Sequence, residues 1–176
     1  MKALITALTF CLTATSTVHA EEAPKHFQMG ISSFATTVSF ENSGIEDDEF
    51  TGFSLYGKGA PTDNFAMRGL YAQQEHDDFQ GLDLNALEIS ALAGTGLATE
   101  GFKAYGSFGF FDEELEANNS SIDFNGAMIG AGIGYNWAPV GIDFWFNLRD
   151  SSDYEDLFPG ADVVAASDGL GIAARF

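Results

Sequence analysis

Cysteine is nearly absent from this chain of 176 residues, and the one that occurs, Cys11, lies in the opening stretch "MKALITALTFCLTATSTVHA". That stretch carries a cation at Lys2, an apolar run from Ala3 to Leu12 and a small-residue pattern ending Val18-His19-Ala20. These are the three parts of a secretory signal peptide, cleaved before Glu21. Thr9-Phe10 ahead of Cys11 is too bulky for a lipoprotein cleavage box. The expected mature chain, residues 21–176, therefore has no disulfide framework and no thiolate chemistry. Long apolar runs are also missing: Ala3–Leu12 falls short of the roughly 20 residues that a membrane-spanning helix needs. No Pro-rich or Gly/Ser-rich linker divides the chain, so residues 21–176 read as one domain.

Cations are the third scarcity. Seven Lys and Arg stand against 26 Asp and Glu, a formal net charge of −19. Such a surface repels phosphate backbones, which excludes nucleic acid as a partner. Acidity of this order suits disordered chains. Here 17 Phe and 45% apolar residues argue for a packed structure instead.

The acid is concentrated. Four clusters, Glu41–Glu49, Glu75–Asp83, Asp112–Asp123 and Arg149–Asp162, hold 19 of the 26 carboxylates. Between them lie three short reversal signals, "GAPTDN" (59–64), "TGLATEG" (95–101) and "APVG" (138–141), with Pro or Gly where a tight turn needs it. Long acidic connections and short turns therefore alternate.

The segments between them alternate in hydropathy with period two, the signature of strands with two unlike faces. Phe53, Leu55 and Gly57 oppose Ser54, Tyr56 and Lys58, while Phe65, Met67 and Tyr71 oppose Ala66, Arg68 and Leu70. Leu87 and Ile89 oppose Glu88 and Ser90; Phe102, Phe108 and Phe110 oppose Lys103, Tyr105 and Ser107. The same holds for Ile129–Trp137 against a glycine-rich face, and for Ile142, Phe144 and Phe146 against Asp143, Trp145 and Asn147. A C-terminal strand, "DGLGIAARF", and a first strand within His26–Glu41 bring the count to eight. The phase of the first is open, because Ile31 and Phe34 fall on opposite faces.

Eight strands joined by four long and three short connections match an antiparallel up-and-down transmembrane β-barrel. A secreted soluble barrel of the lipocalin kind has the same alternation, with the large apolar residues inside. One face of nearly every strand lacks charge, and the other carries Lys58, Arg68, Glu88, Lys103, Asp143 and Arg175. The charges are accordingly assigned to the lumen as a network, with Glu88 expected beside Arg68, Asp143 beside Arg175, and Arg149 at a rim. Gly130, Gly132, Gly134, Gly169 and Gly171 are expected to face Tyr105 and Trp145 across the lumen and make room for them. The glycines of "GAGIGY" repeat with period two and precede no helix, so they are not a nucleotide loop. Aromatics fall in two bands: Phe27, Phe65, Phe102, Tyr135, Trp137 and Phe176 at the short-turn end, and Tyr71, Phe79, Phe110, Phe111, Tyr154 and Phe158 at the acidic end. Two such bands suit the two interfaces of a membrane.

The signal peptide, the eight-strand pattern and the terminal "GLGIAARF" resemble the small outer-membrane barrel proteins of Gram-negative bacteria, the group that includes the OmpA membrane domain and the OmpX-like and opacity-like proteins. The resemblance implies location in the outer membrane, with lipid and lipopolysaccharide as surroundings. It also implies that Gly169, Leu170, Ile172, Ala174 and Phe176 form the signal read by the barrel assembly machinery. A monomeric barrel with a structural or surface-interaction role is expected, with no cofactor and no catalytic or metal-ligating residues, and with divalent cations as candidate partners of the acidic loops. Two further readings stay open. One is lipid A acyl chemistry at His76, with Glu75 and Asp77 beside it and Ser90 on the adjacent strand; the other is a narrow cation-preferring channel.

Overall fold

The computed structural model describes residues 24–41, 47–79, 81–117, 120–157 and 162–176; the expected signal peptide lies outside them. Eight strands occur in chain order: β1 (Phe27–Glu41), β2 (Asp48–Thr62), β3 (Phe65–His76), β4 (Leu82–Thr95), β5 (Gly101–Ala117), β6 (Ser120–Asn136), β7 (Val140–Arg149) and β8 (Asp162–Arg175). A short helix, α1 (Ser152–Leu157), precedes β8. Each strand pairs antiparallel with the next, and β8 pairs with β1, so the sheet closes into a barrel without an edge. The seam is tied at its end by reciprocal backbone hydrogen bonds, Phe27 N–H to Phe176 O and Phe176 N–H to Phe27 O.

Alternation decides which way each side chain points, because successive residues of a strand face opposite sides of the sheet. The outer surface carries Phe53, Leu55, Ile89, Phe108, Ile133 and Leu170, each more than half exposed. Trp145, Lys103, Glu88 and Asn147 are buried inside. A soluble barrel would show the reverse. On β1, Phe34 points inward at 1% exposure and Ile31 outward at 60%, which resolves the phase that alternation alone left open.

The six aromatics of the short-turn band are all exposed, as are Tyr71, Phe79 and Phe110 of the other. Phe111 and Tyr154 differ from expectation: both are buried inside with Phe124 and Met128, while Phe158 lies outside the described residues. The third acidic cluster also differs. β5 and β6 pair in unbroken register from Gly101↔Asn136 to Ala117↔Ser120, so Asp112–Ala117 belongs to a strand, not a loop. Phe111, Leu115 and Phe124 supply the apolar contacts that carry the hairpin outward.

The glycines work by omission. A Cβ on Gly169 would lie 2.3 Å from the Trp145 ring, and one on Gly132 would lie 2.4 Å from the Tyr105 ring. In both cases the aromatic belongs to the directly paired neighbouring strand, not to the far wall of the lumen.

Candidate functional site

The lumen is filled along its length by a plug, two charge clusters and an apolar stopper. At the short-turn end the segment between β4 and β5 folds inward, and Leu97 and Ala98 are buried against Ala60, Ala66, Leu92 and Tyr105. Gly96 permits this entry: its φ is +72°, a conformation that favours glycine. Asp63, in the turn between β2 and β3, accepts hydrogen bonds from the N–H groups of Gly96, Ala98 and Thr99 at 3.0, 3.2 and 3.0 Å and from the Thr99 hydroxyl at 2.8 Å. Burial raises the Asp63 pKa, but these hydrogen bonds outweigh it and hold the carboxyl below its usual range.

Arg175 faces the same plug and donates to the carbonyls of Trp137 (2.5 Å), Ala98 (2.6 Å) and Thr99 (3.2 Å). Asn136 donates to Gly96 O and Thr99 O at 2.8 and 3.0 Å and accepts from Lys103 at 2.9 Å. Above it, Asp143 accepts from Lys103 Nζ at 2.6 Å and Lys58 Nζ at 3.2 Å, with Tyr105 OH at 3.4 Å. Two ammonium groups on β2 and β5 thus converge on one carboxylate from β7.

The upper cluster is the mirror case, one cation between two acids. Arg149 donates to Glu88 Oε1 at 2.6 Å and to Glu113 Oε2, and Tyr154 of α1 donates to Glu113 as well. Beyond it, Val38, Phe40, Phe111, Phe124, Met128 and Tyr154 form an apolar stopper at the long-loop end.

All six expected lumen charges are buried, but the two expected pairings are replaced. Glu88 binds Arg149 rather than Arg68, and Asp143 binds Lys58 and Lys103. Arg149 is inside, not at a rim. Sequence reading also missed Glu113 and Tyr154. Glu113 shares the parity of Lys103, Tyr105 and Phe111, and Arg149 that of Asp143 and Trp145, so carrying the alternation past Phe110 and Leu148 would have found Glu113 and Arg149; Tyr154, on α1, has no such signal.

His76 sits at the end of β3, where Nδ1 accepts the N–H groups of Asp78 and Phe79 at 3.0 and 3.2 Å and Nε2 faces Asp48 Oδ1 at 3.3 Å. Ser90 lies level with Arg68, eight residues below His76 along β3. At about 3.3 Å per residue this is roughly 26 Å of strand. The structure does not bring the two together.

On the outside, the strands leave their apolar band and turn acidic. Glu75 is directly opposite Asp83, and Asp83 directly opposite Glu116, on three neighbouring strands. These carboxylates, with Tyr71, Gln73 and Asn85, line an open groove of about 940 Å³. Asn85 donates to Glu116 at 3.4 Å and accepts from Tyr71 OH at 3.4 Å. Among the described residues, no group of three acidic, His or Cys side chains is arranged to hold a metal ion. Leu170 and Ile172 of the C-terminal strand lie on the outer face at 58% and 51% exposure, and Phe176 at 66%.

A closed eight-stranded antiparallel barrel, apolar outside and charged within, defines a transmembrane β-barrel. The chain matches the model of the outer membrane protein beta-barrel domain over residues 4–176 and belongs to that family. It is thus an outer-membrane protein. No curated protein matches it in sequence. Among solved structures it is similar to the attachment invasion locus protein Ail of Yersinia pestis, with 18% identity and a TM-score of 0.59, over 86% of this chain and 99% of that one. Neisserial surface protein A matches with 12% identity and a TM-score of 0.59, over 88% and 100% of the two chains. The N-terminal barrel domain of Pseudomonas aeruginosa OprF matches with 16% identity and a TM-score of 0.56, over 88% and 100%.

Proposed function

We propose that this barrel is a non-enzymatic, closed membrane anchor whose work is done on its exterior, where the acidic parts of β3, β4 and β5 engage lipopolysaccharide phosphates through shared divalent cations. The observation that carries this reading is the row Glu75–Asp83–Glu116, set in direct cross-strand register just beyond the outward Tyr71 and Leu87. Like charges directly opposite on neighbouring strands, about 5 Å apart, destabilise a sheet unless something neutralises them. Short turns of such barrels face the periplasm and longer connections face outward, so the row sits at headgroup level of the outer leaflet. Oxygen-only ligands suit Ca²⁺ or Mg²⁺, and a site with too few protein ligands is completed by phosphate and water.

Reconstitution tests it. In bilayers containing lipopolysaccharide, Mg²⁺ should raise the unfolding temperature by several degrees more than in phospholipid alone. Glu75→Gln/Asp83→Asn/Glu116→Gln should abolish that difference while making the metal-free barrel more stable. Equal Mg²⁺ effects in both membranes would sink the reading.

The filled lumen supports a closed barrel over the channel reading, and the distance of His76 from Ser90 counts against acyl chemistry. Recognition of Gly169, Leu170, Ile172, Ala174 and Phe176 by the assembly machinery is part of the same proposal, supported by the outward apolar face of β8.

A further inference from the structure

One buried cation of the lumen, Arg68, stands without a counter-charge among the described residues. Among the described residues, Glu88, Glu113 and Asp143 are enclosed with five Lys and Arg side chains. Both glutamates are engaged by Arg149, and Asp143 by Lys58 and Lys103. Arg68, 3% exposed, makes no ion pair, and none of its three nitrogens has a hydrogen-bond acceptor among the described residues.

Its surroundings offer further donors. The guanidinium lies 4.5 Å from the centre of the Trp145 ring, whose Nε1–H is likewise without an acceptor. The Tyr56 ring is 5.4 Å from Trp145 with its hydroxyl unpartnered. Ser90 stands directly opposite Arg68 on β4, and its hydroxyl is unpartnered too. Arginine and tryptophan can only donate, and serine and tyrosine hydroxyls can turn their protons to a common acceptor. Buried donors left unmet are costly, and a buried cation without a counter-charge more so. Water can accept from Arg68 and donate to a hydroxyl oxygen, but it brings no counter-charge. An anion only accepts, and it supplies the counter-charge that Arg68 lacks.

We infer that the lumen holds a monatomic anion of the halide class at Arg68, between β3 and β4 and beside Trp145. The rings beside this point are closely packed, Trp145 against Gly169 and Tyr56 against Gly171, which favours a small monatomic anion over a polyatomic oxyanion. The competing acceptor is Glu88 Oε2, which also lacks a partner but belongs to the carboxylate held by Arg149. The inference is independent of the exterior reading, which involves none of these residues.

Crystals of the barrel in sodium bromide test it by anomalous scattering. A bromide peak in contact with the Arg68 guanidinium is expected in the wild type and absent in Arg68→Met. In detergent at matched ionic strength, chloride should raise the melting temperature of the wild type by about 2–4 °C over gluconate, as ligand linkage requires, and that of Arg68→Met not at all. Should Arg68→Met fail to fold, Ser90→Ala is expected to weaken the peak. No bromide at this position, whether the place holds water or Glu88 has turned to Arg68, overturns the inference, as does an equal peak in Arg68→Met.

Discussion

Arg149 is the residue on which the upper lumen depends. Its side chain is fully buried and is the one guanidinium between Glu88 and Glu113, so its loss leaves two carboxylates enclosed with nothing between them. Breaking a buried pair by removing one member costs about 3–5 kcal/mol, whereas replacing all members by apolar or neutral groups is often nearly neutral. Urea unfolding in detergent should therefore show Arg149→Met destabilised by about that amount. Arg149→Met combined with Glu88→Gln and Glu113→Gln should recover most of it. A single variant as stable as the wild type would show that the cluster contributes nothing. Six of the lumen charges were legible from their parity in the sequence. Their pairing was not, because partners such as Lys58 and Asp143 are 85 residues apart and meet only when β8 closes on β1.

At the scale of the element, the inward-folded β4–β5 connection is the least sequence-like feature. "TGLATEG" reads as an ordinary tight turn, yet Leu97 and Ala98 are buried and plug the barrel. Asp63 holds that plug from a neighbouring turn. Because the folded Asp63 carboxyl titrates below its usual range, the stability it supplies is present above the ordinary carboxylate pKa and is lost as pH falls through the depressed folded value. Amide exchange of Gly96, Ala98 and Thr99 should be slow near neutral pH, after correction for intrinsic rates, and lose protection in acid. Asp63→Ala should show about tenfold weaker protection at neutral pH and little further change in acid, corresponding to roughly 1–2 kcal/mol for charge-assisted hydrogen bonds at a partly exposed site. Protection unaffected by the substitution would remove Asp63 from this role. At the other end, the β5–β6 hairpin shows the opposite failure of legibility. Its acids suggest a loop, whereas alternation of Phe111, Glu113 and Leu115 continues the strand.

For the whole molecule, closure matters most. Every strand has two neighbours, so backbone groups facing the bilayer are paired without a free edge. An eight-stranded barrel has an interior just wide enough to be filled by side chains, and here a plug, two charge clusters and an apolar stopper occupy it in sequence. Two outcomes follow. The refolded protein, unboiled, should migrate differently on a gel from the boiled sample and resist protease. In planar bilayers it should show no steady conductance; regular cation- or anion-selective steps would contradict the filled lumen.

The sequence by itself determined the eight strands, the direction in which nearly every side chain points, and the short-turn and long-loop ends. These follow from a period of two and from turn residues, both properties of a few neighbouring residues. The resulting contrast between an uncharged face and a charged one was enough to turn the barrel inside out relative to a soluble one. Only the tertiary structure decided which lumen charges meet, that Arg149, Glu113 and Tyr154 belong to the lumen, that the β4–β5 turn is a plug, and that Arg68 stands apart. Those outcomes depend on barrel closure and on cross-strand register, which bring residues far apart in the chain to the same level, and no local pattern encodes that height.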